Sequence, residues 1–352
     1  MNRGQNQGSR VLKRAWLALC ACVCIASLGG VAPATTGAQP ATVQPQRAWE
    51  NYFGVAILPS GRVVVVGDKG VIMTTGDQGQ TWTRQQRQRG GKYYDLYSVA
   101  FTSDGARGWV VGDNGTIFRS DDGGMTWSEQ KAPPGAEAAL LKVAVADAQR
   151  ACASGEHGVL LCTSDGGANW NLQKFQDFGF FDIAFSDANN VWAVGEFGTL
   201  LHTGDGGKSW QVRSGGDRMG KSDPYFGIVF GGGGNGLAVG LTGNALETND
   251  GGKTWKAGAL AIANRSYYTV AAVPERSGEF YAAGENGVAA LITGGKASQV
   301  ESGTSNAISA VAFSPRFAMS VGLLGTLLRS EDGGQHWQRL NTGGQALQTG
   351  AR

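Results

Sequence analysis

From about residue 50 onward the chain is a succession of short apolar runs, each closed by Gly, Asp or Asn. Around residue 190 they read Phe181-Asp182-Ile183-Ala184-Phe185, Val191-Trp192-Ala193-Val194, Thr199-Leu200-Leu201-His202 and Ser209-Trp210-Gln211-Val212. These runs are short, β-branched or aromatic, and bounded by turn formers, which predicts strands. No later stretch holds a helical period. The group of four recurs, marked by a Gly-x-x-Gly turn between its second and third runs. The turn begins at Gly67, Gly112, Gly155, Gly195, Gly240, Gly284 and Gly322, at spacings of 45, 43, 40, 45, 44 and 38 residues. A unit of this size cannot bury both faces of its own sheet, so neighbouring units must cover them. The pattern predicts an all-β fold over residues 49–341, a seven-bladed β-propeller with four-stranded antiparallel blades.

A second marker, Ser/Thr-x-Asp-x-Gly-x-Thr-Trp, falls between the third and fourth runs. Its Asp and Trp are Asp77 and Trp82, Asp122 and Trp127, Asp165 and Trp170, Asp205 and Trp210, Asp250 and Trp255, and Asp332 and Trp337. The sixth unit, Ile292-Thr293-Gly294-Gly295-Lys296, has lost both residues. An Asp in such a turn can accept backbone N–H bonds, and the Trp brings a large apolar surface to the next strand. Repetition in six units argues for scaffold rather than catalysis, which needs one constellation.

Composition supports many tight turns, since Gly makes up 57 of 352 residues, about twice ordinary usage. The first residues stand apart. Arg3, Arg10, Lys13 and Arg14 precede an apolar segment, Leu17 to Leu28, and small-residue cleavage sites end at Ala34 or Ala38. This reads as a signal peptide over 1–34, followed by a linker over 35–48. The apolar segment is shorter than a membrane span needs, and lipoprotein anchoring is not expected. Without those four basic residues the chain carries 26 Lys and Arg against 28 Asp and Glu, so the basic balance belongs to the signal. Nothing indicates nucleic-acid binding. Residues 342–352 read as a polar, flexible tail.

Of five cysteines, only Cys152 and Cys162 lie outside the signal. They flank one Gly-x-x-Gly turn on adjacent antiparallel strands, where they are either a disulfide suited to an oxidising compartment or two small buried thiols. His157, His202 and His336 lie in different units and make no metal-ligand spacing, so no metal or cofactor is expected. Candidate chemistry concentrates where the chain enters each first strand, at the same end as the Gly-x-x-Gly turns. Aromatics recur there (Tyr97, Phe180, Tyr225 and Tyr267 among them), with one of each adjacent pair expected between blades and the other towards the central opening. Arg87, Arg89, Lys92, Arg218, Lys221 and Arg265 lie just before them. This face is the candidate partner-binding surface.

The boxes resemble those of the BNR/Asp-box propellers. The fuller unit, Val191-Trp192-Ala193-Val194-Gly195-Glu196-Phe197-Gly198-Thr199-Leu200 followed by Asp205-Gly206-Gly207-Lys208-Ser209-Trp210, resembles the photosystem II stability/assembly factor family. The resemblance implies an exported, non-catalytic propeller that binds a segment of a membrane protein or complex. It would be periplasmic or secreted, or in the thylakoid lumen of a photosynthetic host, a monomer with peripheral membrane association. Two other readings compete. Asp-box propellers include sialidases and other glycosidases, but the Arg-Ile-Pro segment is missing and no unit carries a distinct catalytic insertion. A purely structural cell-surface propeller is the third.

Overall fold

The computed structural model describes residues 50–340, apart from 176, 216–221, 261 and 263. The expected signal, linker and tail lie outside the described residues. Seven four-stranded antiparallel sheets follow one another, each with its strands in chain order. Their first strands are Tyr52–Ile57, Leu96–Phe101, Leu140–Val145, Phe180–Phe185, Tyr225–Phe230, Tyr267–Ala272 and Ile308–Phe313. Each first strand packs against those of the blades before and after it, and the seventh packs against the first, closing a ring. This is a seven-bladed β-propeller. Blade 7 takes its four strands from the segment Ile308 to Arg339, so closure rests on packing and on links such as Gly325 N–H to the Glu50 carbonyl, 2.7 Å. No described helix is long and apolar enough to cross a membrane.

The core is divided among the seven gaps between blades. One apolar cluster joins blades 1 and 2 through Val64, Val66, Val99 and Phe118, and another joins blades 7 and 1 through Met319, Val321, Val63 and Met73. The other five gaps each hold a cluster of the same kind. Second strands such as Val63–Gly67 and Val191–Gly195 are buried along their whole length, which explains why their sequences are continuously apolar.

The Gly-x-x-Gly turns have a definite cause. A Cβ at Gly112 would lie 2.1 Å from the Asp95 carbonyl oxygen, so the first glycine is required by close approach. Gly115, at φ +65°, supplies a left-handed conformation that closes the turn. The residue after the first glycine, Asp113, donates its N–H to that same Asp95 carbonyl at 2.9 Å. The equivalent bond recurs in every blade, from Glu156 to Ala139 and from Glu196 to Gly179 among others. Each turn thereby fastens the segment that enters its own first strand.

Candidate partner-binding face

Every first strand carries a register shift at its second residue. Tyr52 faces Gly67 while Gly54 faces Val66, which leaves Phe53 as the extra residue. The same shift isolates Tyr97, Leu141, Phe181, Phe226, Tyr268 and Ser309. A bulge bends the strand and re-aims the extra side chain. Because the first strands ring the axis, bulged aromatics of neighbouring blades meet one another. The Phe53 and Tyr97 rings are 5.4 Å apart, Phe181 and Phe226 5.3 Å, and Phe226 and Tyr268 5.6 Å. Five of the seven positions are aromatic, so the channel end carries an aromatic girdle.

Of the expected aromatic anchors, Tyr97 is a bulged residue, while Phe180, Tyr225 and Tyr267 each stand one place before one. Phe180 and Tyr267 are fully buried between blades, and Tyr225 is 7% exposed. Phe180 packs edge-on against Phe175 and Phe178 at 5.7 and 5.4 Å. Phe181 and Phe226, at 8% and 5%, are about as buried as Tyr225. What sets Phe181, Phe226 and Tyr268 apart is that they are the bulged residues and their rings meet across blades. Tyr97 belongs to the girdle as well, with its hydroxyl donating to Asp113 Oδ1 at 3.0 Å.

The turn carboxylates are drawn inward. Asp68 Oδ2 accepts the Asn51 N–H at 2.8 Å, and Glu285 Oε2 accepts the Ser266 N–H at 3.2 Å. Asp68 has its pKa raised to about 6, first by burial and then by the nearby Asp95 and Glu50 charges, against the pull of the Asn51 N–H. Asp113 shifts the same way, chiefly through burial. Burial and the Glu285 charge raise Tyr268 to about 12.

The basic candidates divide. Arg89 Nε pairs with Glu129 at 3.0 Å, and its Nη1 donates to the Asn114 carbonyl, so it braces blades 1 and 2. Arg87 Nη2 donates to Gln85 Oε1 at 3.0 Å. Lys92 is exposed on a two-strand hairpin formed by Gln88–Arg89 and Lys92–Tyr93, and Arg265 is half-buried beside the blade 6 entry. Arg218 and Lys221 lie outside the described residues.

One pair went unnoticed in the sequence. Asp182 is buried in the residue after a bulge, 3.7 Å from Lys142 Nζ, which follows the bulge of the preceding blade. It also accepts the N–H groups of Ile183 at 2.7 Å and of Ile228, in the next blade, at 2.9 Å. Burial raises its pKa, while Lys142 and the two N–H donors oppose the rise. The signal was there to read: Leu-Leu-Lys-Val and Phe-Phe-Asp-Ile carry opposite charges at the same place in consecutive inner strands.

The opposite end is closed chemically. Asp205 accepts the Thr203 and Ser209 hydroxyls at 2.7 and 2.6 Å, and the Lys208 and Ser209 N–H groups, both at 2.9 Å. Asp77, Asp122, Asp165, Asp250 and Asp332 sit in equivalent nets; Asn169 Nδ2 and His336 Nδ1 take the place of the hydroxyl at 2.8 and 2.6 Å. Where its partners can be ranked, the Ser209 hydroxyl leads in lowering Asp205, and the Asn169 N–H leads in lowering Asp165 to about 2. The box indoles Trp82, Trp127 and Trp337 donate to their own turn carbonyls at 3.1, 3.2 and 3.0 Å. Cys152 and Cys162 face each other across paired strands and are joined by a disulfide. Among the described residues no group of His, Cys, Asp and Glu is placed to hold a metal.

A family model described as photosynthesis system II assembly factor YCF48 matches residues 91–176 and 171–244. The solved structure of YCF48 bound to a D1 peptide aligns with a TM-score of 0.66 at 19% identity, covering 84% of this chain and 98% of that one. YCF48 from Cyanidioschyzon merolae aligns with a TM-score of 0.56 at 20% identity, over 72% and 87% of the two chains. Virginiamycin B lyase from Staphylococcus aureus shares the fold at 11% identity, with a TM-score of 0.68 over 82% and 96%. A search of curated protein sequences found no match. Over residues 91–244 the chain is similar to the photosystem II assembly factor family, and the solved YCF48 structures share its propeller fold.

Proposed function

We propose that the chain is a non-catalytic, exported propeller that binds a segment of a membrane protein at the girdle end and acts as an assembly or stability factor. The observation that carries this reading is the ring of bulged aromatics at one channel mouth, built beside inward-drawn carboxylates and cationic entry segments. Aromatic anchors in a preformed concave site bind extended peptide at low entropic cost. A D1 peptide bound to YCF48 supports a polypeptide as the ligand class. The basic and apolar start of the chain supports export, to the periplasm or outside the cell, or to the thylakoid lumen if the host is photosynthetic. In a host without photosystems the same face would serve an envelope or transporter complex. The shared fold of a lyase keeps catalysis a rival, but the box carboxylates are consumed by their own turns and offer no acid–base pair.

Detergent-solubilised membranes from the native host supply the test. Phe181→Ser combined with Phe226→Ser should cut partner capture by about tenfold or more, the loss expected when central anchors are removed. Ser309 already occupies the equivalent place in blade 7, so the bulge accepts serine. Reversal of Arg87, Arg89 and Arg218 to Glu should weaken capture as well. Unchanged capture by the folded aromatic variant would refute the reading, and release of a fluorogenic sialoside by the wild type would favour the hydrolase.

A further inference from the structure

The sixth blade leaves a gap that the other six fill. In blades 1, 2 and 7, Trp82, Trp127 and Trp337 lie between their own blade and the one before, with the indole N–H on the turn carbonyl. Trp255 of blade 5 packs on Trp192 of blade 4 and on Phe230, at 5.4 and 5.8 Å, with its indole N–H lacking an acceptor. Counting from the turn glycines, Glu247 and Leu291 are equivalent; their partners across the sheet are Lys256 and Ser298. Ala297 therefore stands where Trp255 stands in blade 5. The turn before it has shrunk to Gly294 and Gly295, between the paired Thr293 and Lys296.

One of the two lost rings is replaced. In blades 2 and 5 the last first-strand residue is Phe101 or Phe230, paired with Gly108 or Gly236. In blade 6 the sizes are exchanged, with Ala272 paired to Phe280. Phe280 thus restores the phenyl ring from the other strand. Nothing restores the indole. Between blades 5 and 6 there remains a half-open cavity of about 240 Å³, with Leu237, Phe280 and Ile292 as its apolar floor and Asn235, Glu247 and Lys256 at its rim. A carboxylate oxygen of Glu247 lies 3.0 Å from where a Cβ on Gly295 would be, so it overhangs the turn that supplies the indole acceptor in blades 1, 2 and 7.

We propose that this vacated slot is a binding site for an indole-type ring, a planar aromatic group carrying one N–H donor. The three preserved turn bonds show that this interface geometry accepts an indole, and an apolar cavity of comparable size is enough to hold a small aromatic molecule. Glu247 would accept the ring N–H in place of the missing turn carbonyl. The slot lies at the box end, away from the girdle, and its argument does not depend on the partner-binding reading. The ring could belong to a free indole compound or to a tryptophan residue; the chemistry is common to both.

Fluorine NMR with 5-fluoroindole on the full-length mature chain tests the site, with N-acetyltryptophanamide as the second arm. Saturable binding with a dissociation constant on the order of 1 mM or tighter is expected for the free ring. Competition by the capped residue assigns the slot to tryptophan side chains as well, and failure to compete restricts it to free compounds. Ala297→Trp should fill the slot, raise Tm and weaken fluoroindole by about tenfold or more. If that variant does not fold, Glu247→Ala at the rim should weaken fluoroindole by about tenfold and leave 5-fluorobenzothiophene, which has no N–H, unchanged. Absence of binding at about 10 mM, or equal affinity in a folded Ala297→Trp protein, overturns the proposal.

Discussion

The two ends of this propeller are made from the same repeat and spend their carboxylates in opposite ways. At the box end each Asp is wrapped by hydroxyl and N–H donors of its own turn, and its charge is stabilised. At the girdle end Asp68 and Asp113 lie partly buried near other acids, and their charge is penalised. A group satisfied within eight residues of sequence can be copied from blade to blade with no need of the ring. A group whose partners come from the strand entry, and whose field comes from other acids, exists only once the ring is assembled. Carboxylates penalised in this second way are common where proteins meet ligands, which accords with the binding proposed at the girdle end.

The largest test of this division removes a box indole. Trp82 is 3% exposed and packs against Met319, Phe317 and Val65 across the blade 7 to blade 1 gap. Trp82→Ala should cost about 3–5 kcal/mol of folding stability, as buried aromatic truncations do. Measured by urea unfolding, that loss should come with unchanged partner capture at any temperature where the variant remains folded. Loss of capture by the folded variant would show that the box end also binds.

A smaller effect is expected from the covalent link at the same end. The sulfur of Cys162 closely underlies Gly207 in the next blade's box, where a Cβ would fall 2.2 Å from it. In blades 2 and 4 the indoles of Trp109 and Trp192 lie under the equivalent glycines, Gly167 and Gly252, so the disulfide takes the place of a ring. The bridge spans 10 residues, and closing so short a loop stabilises by about 2–3 kcal/mol on the chain-entropy account. Cys152→Ala with Cys162→Ala should lose that amount, and alkylation of the denatured wild type should shift its mass only after reduction. A shift without reductant would mean free thiols and a box end held by packing alone.

What could be read in the sequence follows the same division. The Gly-x-x-Gly turns gave the blade number because each glycine is imposed by its own backbone, as Gly112 is by the Asp95 carbonyl. The boxes were readable for the same reason, since all their partners lie within one turn. The bulges of the first strands were not readable. Alternation along a strand assigns Phe180 and Phe181 to opposite sides but does not show which of them a bulge will turn to the channel. The Ala272 and Phe280 exchange also escaped notice, because it appears only when the two strands are paired. Lys142 and Asp182 meet across blades, a contact no local pattern encodes.

The least effect, and the one most specific to the comparison, is in the response to pH. Asp68 holds its proton up to about pH 6, against an ordinary 3.8. Between those values the folded chain binds more protons at this site than the unfolded chain does, so its contribution to stability falls as pH rises and is lowest above 6. Asp165 behaves in reverse. Its folded pKa is about 2, so its contribution is fully present above 3.8 and is lost as pH falls towards 2. Replacing each by Asn keeps an acceptor oxygen and removes the charge. Asp68→Asn should therefore raise Tm slightly at pH 7 and leave it unchanged at pH 4, where the native carboxyl is already protonated. Asp165→Asn should lower Tm at pH 7, with the deficit shrinking as pH falls below 3.8. Opposite signs at pH 7 are the requirement: if both substitutions lower Tm there, the girdle-end acids are scaffold like those of the boxes, and their burial has no connection with a binding face.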